Sequence, residues 1–238
     1  MRHETAEAVG RGVVVAVALG GWFWSQKLIG QRKPPAGSID DGIHAMTARL
    51  NAWLNQNRGW SNGVLIVTSA IIDLLGLYVI GFTIFGPSLR PFLGILVLFI
   101  LRQACQAVVS LPEPPGMIWH RPPFPSLLVT YGTATDLFFS GHTAIAVYGA
   151  CELARLNIPW LTAVAVTVAC LEAITVLVLR AHYTMDVFTA VFVALFASWT
   201  GGLIGPRCDA LLARAVGAIA GPGCAGSSTP WSRGSTAG

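Results

Sequence analysis

The sequence predicts an all-α protein, a polytopic membrane helix bundle with about six transmembrane helices. Two observations lead to this prediction. Only 11% of the 238 residues are charged, less than half of the roughly 25% that is typical of soluble domains. Between the charged residues lie several apolar runs whose lengths approach the roughly 20 residues that a helix needs to cross a bilayer. A chain of this length then holds one compact membrane domain.

The first predicted element is an apolar helix that begins after a charged start and covers residues 12–24. It reaches spanning length if it continues for six more residues, with Lys27 extending to the membrane interface. A signal peptide is the competing interpretation. The cluster of Trp22, Phe23 and Trp24 is more typical of an aromatic belt at a membrane interface than of a cleavage region, so we predict a helix.

A polar stretch follows, at residues 26–60. Its apolar side chains from residue 39 to residue 53 recur at helical spacing, which predicts an amphipathic helix that lies on the membrane surface. These side chains are Ile43, Met46, Leu50 and Trp53. Together with the first helix, this stretch forms a predicted N-terminal unit of residues 1–60.

The remaining elements are predicted spans. Five strong apolar runs occur, at residues 64–85, 91–111, 138–155, 159–179 and 186–205. A proline-rich loop at residues 112–125 separates the second run from the third, because prolines at this density exclude a helix. We therefore place a catalytic transmembrane core at residues 61–206. Residues 207–238 form a predicted flexible C-terminal tail, rich near its end in Gly, Ser, Pro and Ala.

Composition excludes several functions. The net charge of +4 is spread along the chain without a basic patch, so no nucleic-acid partner is expected. The five cysteines form no CxxC pair, which argues against a disulfide framework or a zinc site. Arginine and lysine divide equally between the two sets of alternate loops, so the positive-inside rule does not orient the chain.

The residues that carry chemistry gather at one membrane face. Ser140, Gly141 and His142 begin the third strong run, whereas His182 and Asp186 lie where the fourth run ends and the fifth begins. Two helices separate these motifs, one leading away and one returning, so both motifs lie at the same face. Ionisable groups at such positions are costly and are functional candidates. The candidates collected there are Arg102, Asp136, His142, Arg180, His182 and Asp186.

The spacing of these residues suggests phosphorus chemistry. His182 and Asp186 are four residues apart, which places them on one face of a helix. A carboxylate so placed can fix the imidazole tautomer and stabilise a positive ring, as a histidine that attacks phosphorus requires. A helix start attracts anions, and Gly141 lets the backbone approach a ligand. A second histidine there, His142, could protonate the leaving oxygen.

These motifs resemble a known family. The segment Asp136-Leu-Phe-Phe-Ser-Gly-His142-Thr143, with His182-Tyr-Thr-Met-Asp186-Val187 forty residues after the first histidine, resembles the sphingomyelin synthase branch of the type 2 phosphatidic acid phosphatase superfamily. It is also similar to the plant phosphatidylcholine:diacylglycerol cholinephosphotransferases. Arg102, with Ser110-Leu-Pro-Glu-Pro-Pro-Gly116 after it, resembles the arginine-to-Leu-Pro segment of that branch. The resemblance covers about residues 100–200.

The resemblance implies six membrane helices, no metal ion or other cofactor, and a phosphohistidine-type intermediate. By this resemblance His182 is the nucleophile, Asp186 orients it, and His142 is the acid and later the base. Asp136 is expected to assist the acceptor hydroxyl. Phosphate contacts are expected from Arg102, Asp136, Ser140, Gly141 and Arg180. The same analogy points the active site away from the cytosol.

The sequence departs from the broader phosphatase pattern, which has a lysine seven residues before an Arg-Pro pair. Thr83 and Pro114 stand at that distance before Arg90 and Arg121, and Val176 stands where the pattern has an arginine six residues before its last histidine. Fewer cations suit a phosphodiester with one charge better than a monoester with nearly two. This favours a phospholipid donor over phosphatidic acid.

The predicted function is therefore a lipid phosphotransferase that moves a phospho-head group from a phospholipid to a lipid hydroxyl, in ceramide or diacylglycerol. Access of water to the same site would make it a lipid phosphatase or a phospholipase C-like hydrolase. A non-catalytic lipid transporter or scaffold is the alternative of another class. A channel or carrier lined by Asp73, Glu172 and Arg102 is a further one, and two histidines with one carboxylate also form a known metal triad.

Simpler roles stay open for single residues. Arg102 could extend to the membrane interface, and Arg180 could anchor its helix there. Asp136 could cap the third strong helix. Asp73 and Glu172 could form hydrogen bonds between helices.

Overall fold

The computed structural model describes residues 2–31, 36–122, 126–129, 131 and 137–220. Within this part of the chain all regular structure is helical, which confirms the predicted fold class. The helices, in chain order, are α1 (Arg2–Gly30), α2 (Gly42–Met46), α3 (Ala48–Gln56), α4 (Arg58–Phe85), α5 (Arg90–Val108), α6 (Gly141–Ala154), α7 (Pro159–Val178) and α8 (Thr184–Ala220).

Five of the described helices are long and apolar enough to cross a membrane: α1, α4, α5, α7 and α8. The remaining predicted span, at residues 138–155, corresponds to α6, which has only 14 residues. At about 1.5 Å per residue it is about 21 Å long, shorter than the roughly 30 Å hydrocarbon core of a bilayer. Most of its residues are buried, because α6 packs between α4, α7 and α8 in the centre of the bundle.

Close backbone approach holds the centre of the bundle together. A Cβ atom on Gly201 of α8 would lie 3.0 Å from the Cα atom of Gly94 in α5, so α5 and α8 touch where both residues lack a side chain. The Tyr148 hydroxyl from α6 fills the space beside Gly94 and donates a hydrogen bond to the Pro91 carbonyl at 2.6 Å. The Tyr148 contacts hold α6 against α5.

Ion pairs tie the helix ends on the side away from the start of α6. The buried Glu152 carboxylate accepts from both terminal nitrogens of Arg90, at 2.8 Å and 2.7 Å. The Nε atom of Arg155 lies 3.5 Å from the same carboxylate. Asp209 in α8 accepts a hydrogen bond from the Leu89 backbone at 2.7 Å. The beginning of α5 is thus held to both α6 and α8.

The C-terminal boundary differs from the prediction. Helix α8 continues through Pro206 to Ala220, so residues 207–220, assigned above to a flexible tail, are helical. The extension packs on α1, where a Cβ atom on Gly10 would lie 3.1 Å from Leu212 and 3.7 Å from Val216. These contacts offset the one hydrogen bond that a proline removes from a helix. The rest of the predicted tail lies outside the described residues.

The predicted amphipathic segment consists of two short helices, α2 and α3, separated by Thr47. Its apolar stripe faces away from the bundle, with Met46, Leu50 and Trp53 all exposed. The opposite side is buried against the protein through His44 and Asn51. A location on the membrane surface stays a prediction, and it agrees with this division into an exposed apolar side and a buried polar side.

Candidate active site

The start of α6 is built from the Ser-Gly-His motif. Ser140 is the N-cap residue of α6, and its hydroxyl oxygen accepts a hydrogen bond from the Thr143 backbone at 3.3 Å. The same hydroxyl donates to the Thr143 Oγ1 atom at 3.0 Å. This preference of serine for the N-cap position places Gly141 and His142 in the first turn, where backbone N–H groups attract an anion.

Arg102 of α5 lies beside this turn. Its Nε atom donates a hydrogen bond to the Phe139 carbonyl at 3.0 Å. A Cβ atom on Gly141 would lie 3.3 Å from Arg102 Nε and 3.5 Å from its Cζ atom. Gly141 therefore allows the guanidinium to approach the backbone closely, and the positive charge lies at the N-terminal end of α6.

His182 is held by a backbone carbonyl rather than by the aspartate. Its Nδ1 atom lies 2.7 Å from the Leu137 carbonyl oxygen and 3.8 Å from Asp186 Oδ2, which is too far for a hydrogen bond. Because a carbonyl oxygen only accepts, Nδ1 carries the proton and Nε2 is the unprotonated nitrogen of the neutral ring. In this geometry the Leu137 carbonyl fixes the tautomer, and the orienting role expected of Asp186 stays a prediction.

Asp186 accepts hydrogen bonds from the backbones of both histidine motifs. Its Oδ2 atom accepts from the Tyr183 N–H at 2.8 Å, and its carbonyl accepts from the Ser140 N–H at 3.3 Å. The second bond joins the start of α8 to the start of α6, so the two histidine motifs meet at one face. His142 lies close enough to His182 and Arg102 for their charges to act on it.

Two buried polar atoms of the site have no hydrogen-bond partner among the described residues: His142 Nε2 and Asp186 Oδ1. Both residues are at most 6% exposed. Leaving such atoms unpaired costs about 1–3 kcal/mol each, a cost that a protein accepts where a ligand supplies the partner. The structure therefore brings together six of the predicted residues: Arg102, Ser140, Gly141, His142, His182 and Asp186.

Of the two remaining predicted residues, Arg180 contacts other parts of the chain. Arg180 donates to the backbone carbonyls of Pro115 and, at 3.3 Å, His44. These contacts hold the proline-rich loop and α2 together, and the expected role of Arg180 in binding phosphate stays a prediction. Asp136 lies outside the described residues.

The proline-rich loop covers the site, which the sequence did not predict. The Trp119 ring meets the His142 ring edge-on at 5.1 Å between centroids and packs on Tyr131 at 4.8 Å. The Ile118 N–H donates to the Leu179 carbonyl at 2.8 Å, which ties the loop to the end of α7. No sequence signal distinguished Trp119 from the tryptophans assigned to the membrane interface.

Residues 39–56 also contact the site, although the sequence predicted only an amphipathic helix on the membrane surface there. Asp41 accepts from the Thr184 backbone at 2.6 Å and from its hydroxyl at 2.7 Å. Burial raises the pKa of the Asp41 carboxyl, but the hydrogen bonds from Thr184 and His44 outweigh burial and hold this pKa below its ordinary value. An aspartate before a short helix is a recognisable signal for an N-cap. No sequence signal indicated that the same aspartate would contact α8.

The carboxylates of Asp73 and Glu172, within predicted membrane spans, form hydrogen bonds inside the bundle. Asp73 accepts from the Leu127 and Leu128 N–H groups, both at 2.8 Å, and Glu172 accepts from the Thr68 hydroxyl. Each carboxylate thus has its own local partner, which agrees with the simpler role in hydrogen bonding and not with a shared polar path. The described residues contain no group of three His, Cys, Asp or Glu side chains that could hold a metal ion.

A family model described as AtPDCT1/2 matches residues 39–202, more than half of the chain. The matched region begins just before α2 and ends within α8, so it contains the whole candidate site and excludes α1. No curated protein and no solved structure matches the chain.

Proposed function

The chain belongs to the AtPDCT1/2 family of phosphatidylcholine:diacylglycerol cholinephosphotransferases, and from that premise we propose that it transfers phosphocholine from a phosphatidylcholine to a diacylglycerol through a covalent intermediate on His182. Membership makes the chain an enzyme that acts on lipids. The observation that carries the proposed mechanism is the hydrogen bond from His182 Nδ1 to the Leu137 carbonyl. It directs the lone pair of the ring to Nε2, where an attack on phosphorus would begin.

In the first step, His182 Nε2 attacks the phosphorus of phosphatidylcholine. An N–P bond forms, and the P–O bond to the glycerol oxygen breaks. His142 gives a proton to that oxygen, so diacylglycerol leaves as a neutral alcohol. The imidazole ring of His182 is then cationic, and the Asp186 carboxylate 3.8 Å away stabilises this positive charge.

In the second step, the hydroxyl of another diacylglycerol attacks the phosphorus. His142 takes the hydroxyl proton, the new P–O bond forms, and the N–P bond breaks to restore neutral His182. Both steps use the same two histidines in opposite roles. We place the transferred proton at the His142 Nε2 atom, which has no hydrogen-bond partner within the described part of the chain.

The surroundings of the phosphate support a diester donor. Arg102 brings one positive charge to the start of α6, and the N–H groups of the first turn after Ser140 supply partial positive charge. A phosphodiester carries one negative charge, which this set can balance. Arg180, whose contacts are with backbone carbonyls, is not needed for this balance.

The acceptor hydroxyl decides between related activities. Diacylglycerol is the acceptor that the family description names, and ceramide is the acceptor that the resemblance to sphingomyelin synthases would add. Water would make the site a phospholipase C-like hydrolase. A lipid transporter or scaffold would bind the same lipids without any transfer.

The test uses purified protein in detergent with phosphatidylcholine, fluorescent diacylglycerol and a chelator. We expect fluorescent phosphatidylcholine from the wild type and from His120→Ala, a control histidine that bonds Asn62 outside the site. We expect none from His182→Ala or His142→Ala. Parallel reactions with fluorescent ceramide, phosphatidylethanolamine and phosphatidic acid identify the acceptor and the head group.

Each outcome separates the alternatives. Fluorescent phosphatidylcholine that disappears in His182→Ala supports the transferase, and phosphocholine attached to the His182 peptide by mass spectrometry supports the intermediate. Free phosphocholine without a new lipid would show a hydrolase. Equal transfer by the wild type and His182→Ala would refute the role of His182.

A further inference from the structure

We propose that Asp41 and His44 are positioning residues that hold His182 and Asp186 in their reactive geometry. They belong to residues 39–56, a segment that contains α2 and α3 and that we call the clasp. The inference rests on the proposed function, because it concerns the same two site residues. It gives the clasp a role in catalysis in addition to its predicted location at the membrane surface.

Asp41 joins two helix starts with one carboxylate. It caps α2 by accepting from the Ile43 and His44 N–H groups at 2.9 Å and 3.2 Å. It also accepts from the backbone and the hydroxyl of Thr184, at 2.6 Å and 2.7 Å. Thr184 is the first residue of α8, and Asp186 follows two residues later, so the carboxylate of Asp41 fixes the turn from which Asp186 projects.

His44 holds the backbone of the nucleophile itself. Its Nε2 atom donates to the His182 carbonyl at 2.9 Å, and because that oxygen only accepts, the proton resides on Nε2. His44 is 6% exposed, and its ring packs on Tyr183 at 5.5 Å. The Tyr183 N–H in turn donates to Asp186. One clasp histidine therefore contacts both residues that directly precede Thr184.

The clasp is itself anchored to the bundle. Asn51 donates to the Gly116 carbonyl at 3.1 Å and to the Val178 carbonyl at 2.9 Å. Leu54 is buried in an apolar cluster with Leu65 and Leu179. These contacts join the clasp to the end of α7 and to the proline-rich loop. Asp41 and His44 therefore project from a segment that is fixed to the helix bundle.

A positioning role predicts a loss in turnover rather than in lipid affinity. Neither residue belongs to the proposed phosphate contacts, so the KM for phosphatidylcholine is expected to stay within about twofold. Misplacing a reactive group costs up to about 100-fold in rate, and we expect kcat to fall by about tenfold or more in Asp41→Ala and His44→Ala. His44→Gln retains an N–H donor and is expected to recover part of this loss.

The experiment measures kcat and KM for the phosphocholine transfer in detergent, using protein that elutes as a single peak. Arg49→Ala, an exposed side chain of the same clasp, is the matched control and is expected to match the wild type. If the alanine variants do not fold, Asp41→Asn and His44→Gln replace them, because both keep size and part of the hydrogen bonding.

A second readout does not depend on turnover. Diethyl pyrocarbonate modifies accessible imidazoles, and mass spectrometry gives the rate at the His182 peptide. We expect this rate to change at least threefold in the Asp41 and His44 variants and not in Arg49→Ala. Unchanged kcat and an unchanged modification rate in the variants would overturn the inference. An inactive wild type would refute the proposed function, and the modification rates would then decide the inference alone.

Discussion

The Nδ1 atom of His182 lies 2.7 Å from the carbonyl oxygen of Leu137. The residues are 45 positions apart in the chain, and the contact exists because the segment before α6 passes beside the loop between α7 and α8. A peptide carbonyl cannot take up a proton at neutral pH, so it fixes the tautomer without competing for the proton. The Asp186 carboxylate, 3.8 Å from the ring, is left to stabilise positive charge.

We expect Asp186→Asn to reduce kcat less than His182→Ala does. Asparagine retains an oxygen for the Tyr183 N–H, and the Leu137 carbonyl still fixes the tautomer. Only the negative charge is lost, which we expect to lower kcat by roughly 10- to 100-fold, or about 1.4–2.7 kcal/mol in the barrier. Initial rates of transfer measure this difference, and a loss as complete as that of His182→Ala would contradict it.

We expect Gly141→Ala to impair the site while the protein stays folded. The added methyl group would lie 3.3 Å from Arg102 Nε, so the guanidinium must shift by a few tenths of an ångström. A shift of this kind lowers kcat/KM several-fold when the group positions a phosphate. Gly81→Ala is the control, because no described atom outside the adjacent backbone of its own helix lies within 4 Å of its added Cβ. Equal activity in both variants would show that the approach of Arg102 is not important.

We expect Glu152→Gln to destabilise the protein without changing its chemistry. The buried Glu152 carboxylate pairs with Arg90 and Arg155, whose side chains are 21% and 43% exposed, so we expect removal of its charge to cost less than the roughly 3–5 kcal/mol of a fully buried pair. The pairs lie at the end of α6 away from His142, so transfer activity per folded molecule is expected to stay within twofold. Thermal unfolding in detergent measures the stability, and an unchanged melting temperature would argue against this account.

We expect the contribution of Asp41 to stability to disappear in acid. The pKa of Asp41 in the folded protein lies below its ordinary value of 3.8. Its stabilising effect is therefore fully present above that value and is lost as the pH falls through the lowered pKa. Melting temperatures of the wild type and Asp41→Asn should differ at neutral pH and converge below pH 3.8. A difference that does not change with pH would contradict the assignment.

Much of the site could be predicted because its motifs are local in sequence. The helix start at Ser140 follows from the N-cap preference of serine, and the short spacing of His182 and Asp186 keeps both residues near the start of α8. Counting two helices between the motifs was enough to place both at one face. The helical placement predicted for His182 differs from the structure, because α8 begins two residues later, at Thr184.

The sequence by itself determined that this chain is a helical membrane protein and which two histidine motifs share a face, since apolar run length and chain direction are local properties. Only the tertiary structure decided which groups surround those motifs. Leu137 binds His182, Asp41 caps α8, and Arg180 binds loop carbonyls through contacts between distant parts of the chain. Backbone carbonyls and N–H groups are the same in every residue, so a sequence cannot show which of them a side chain will meet after packing.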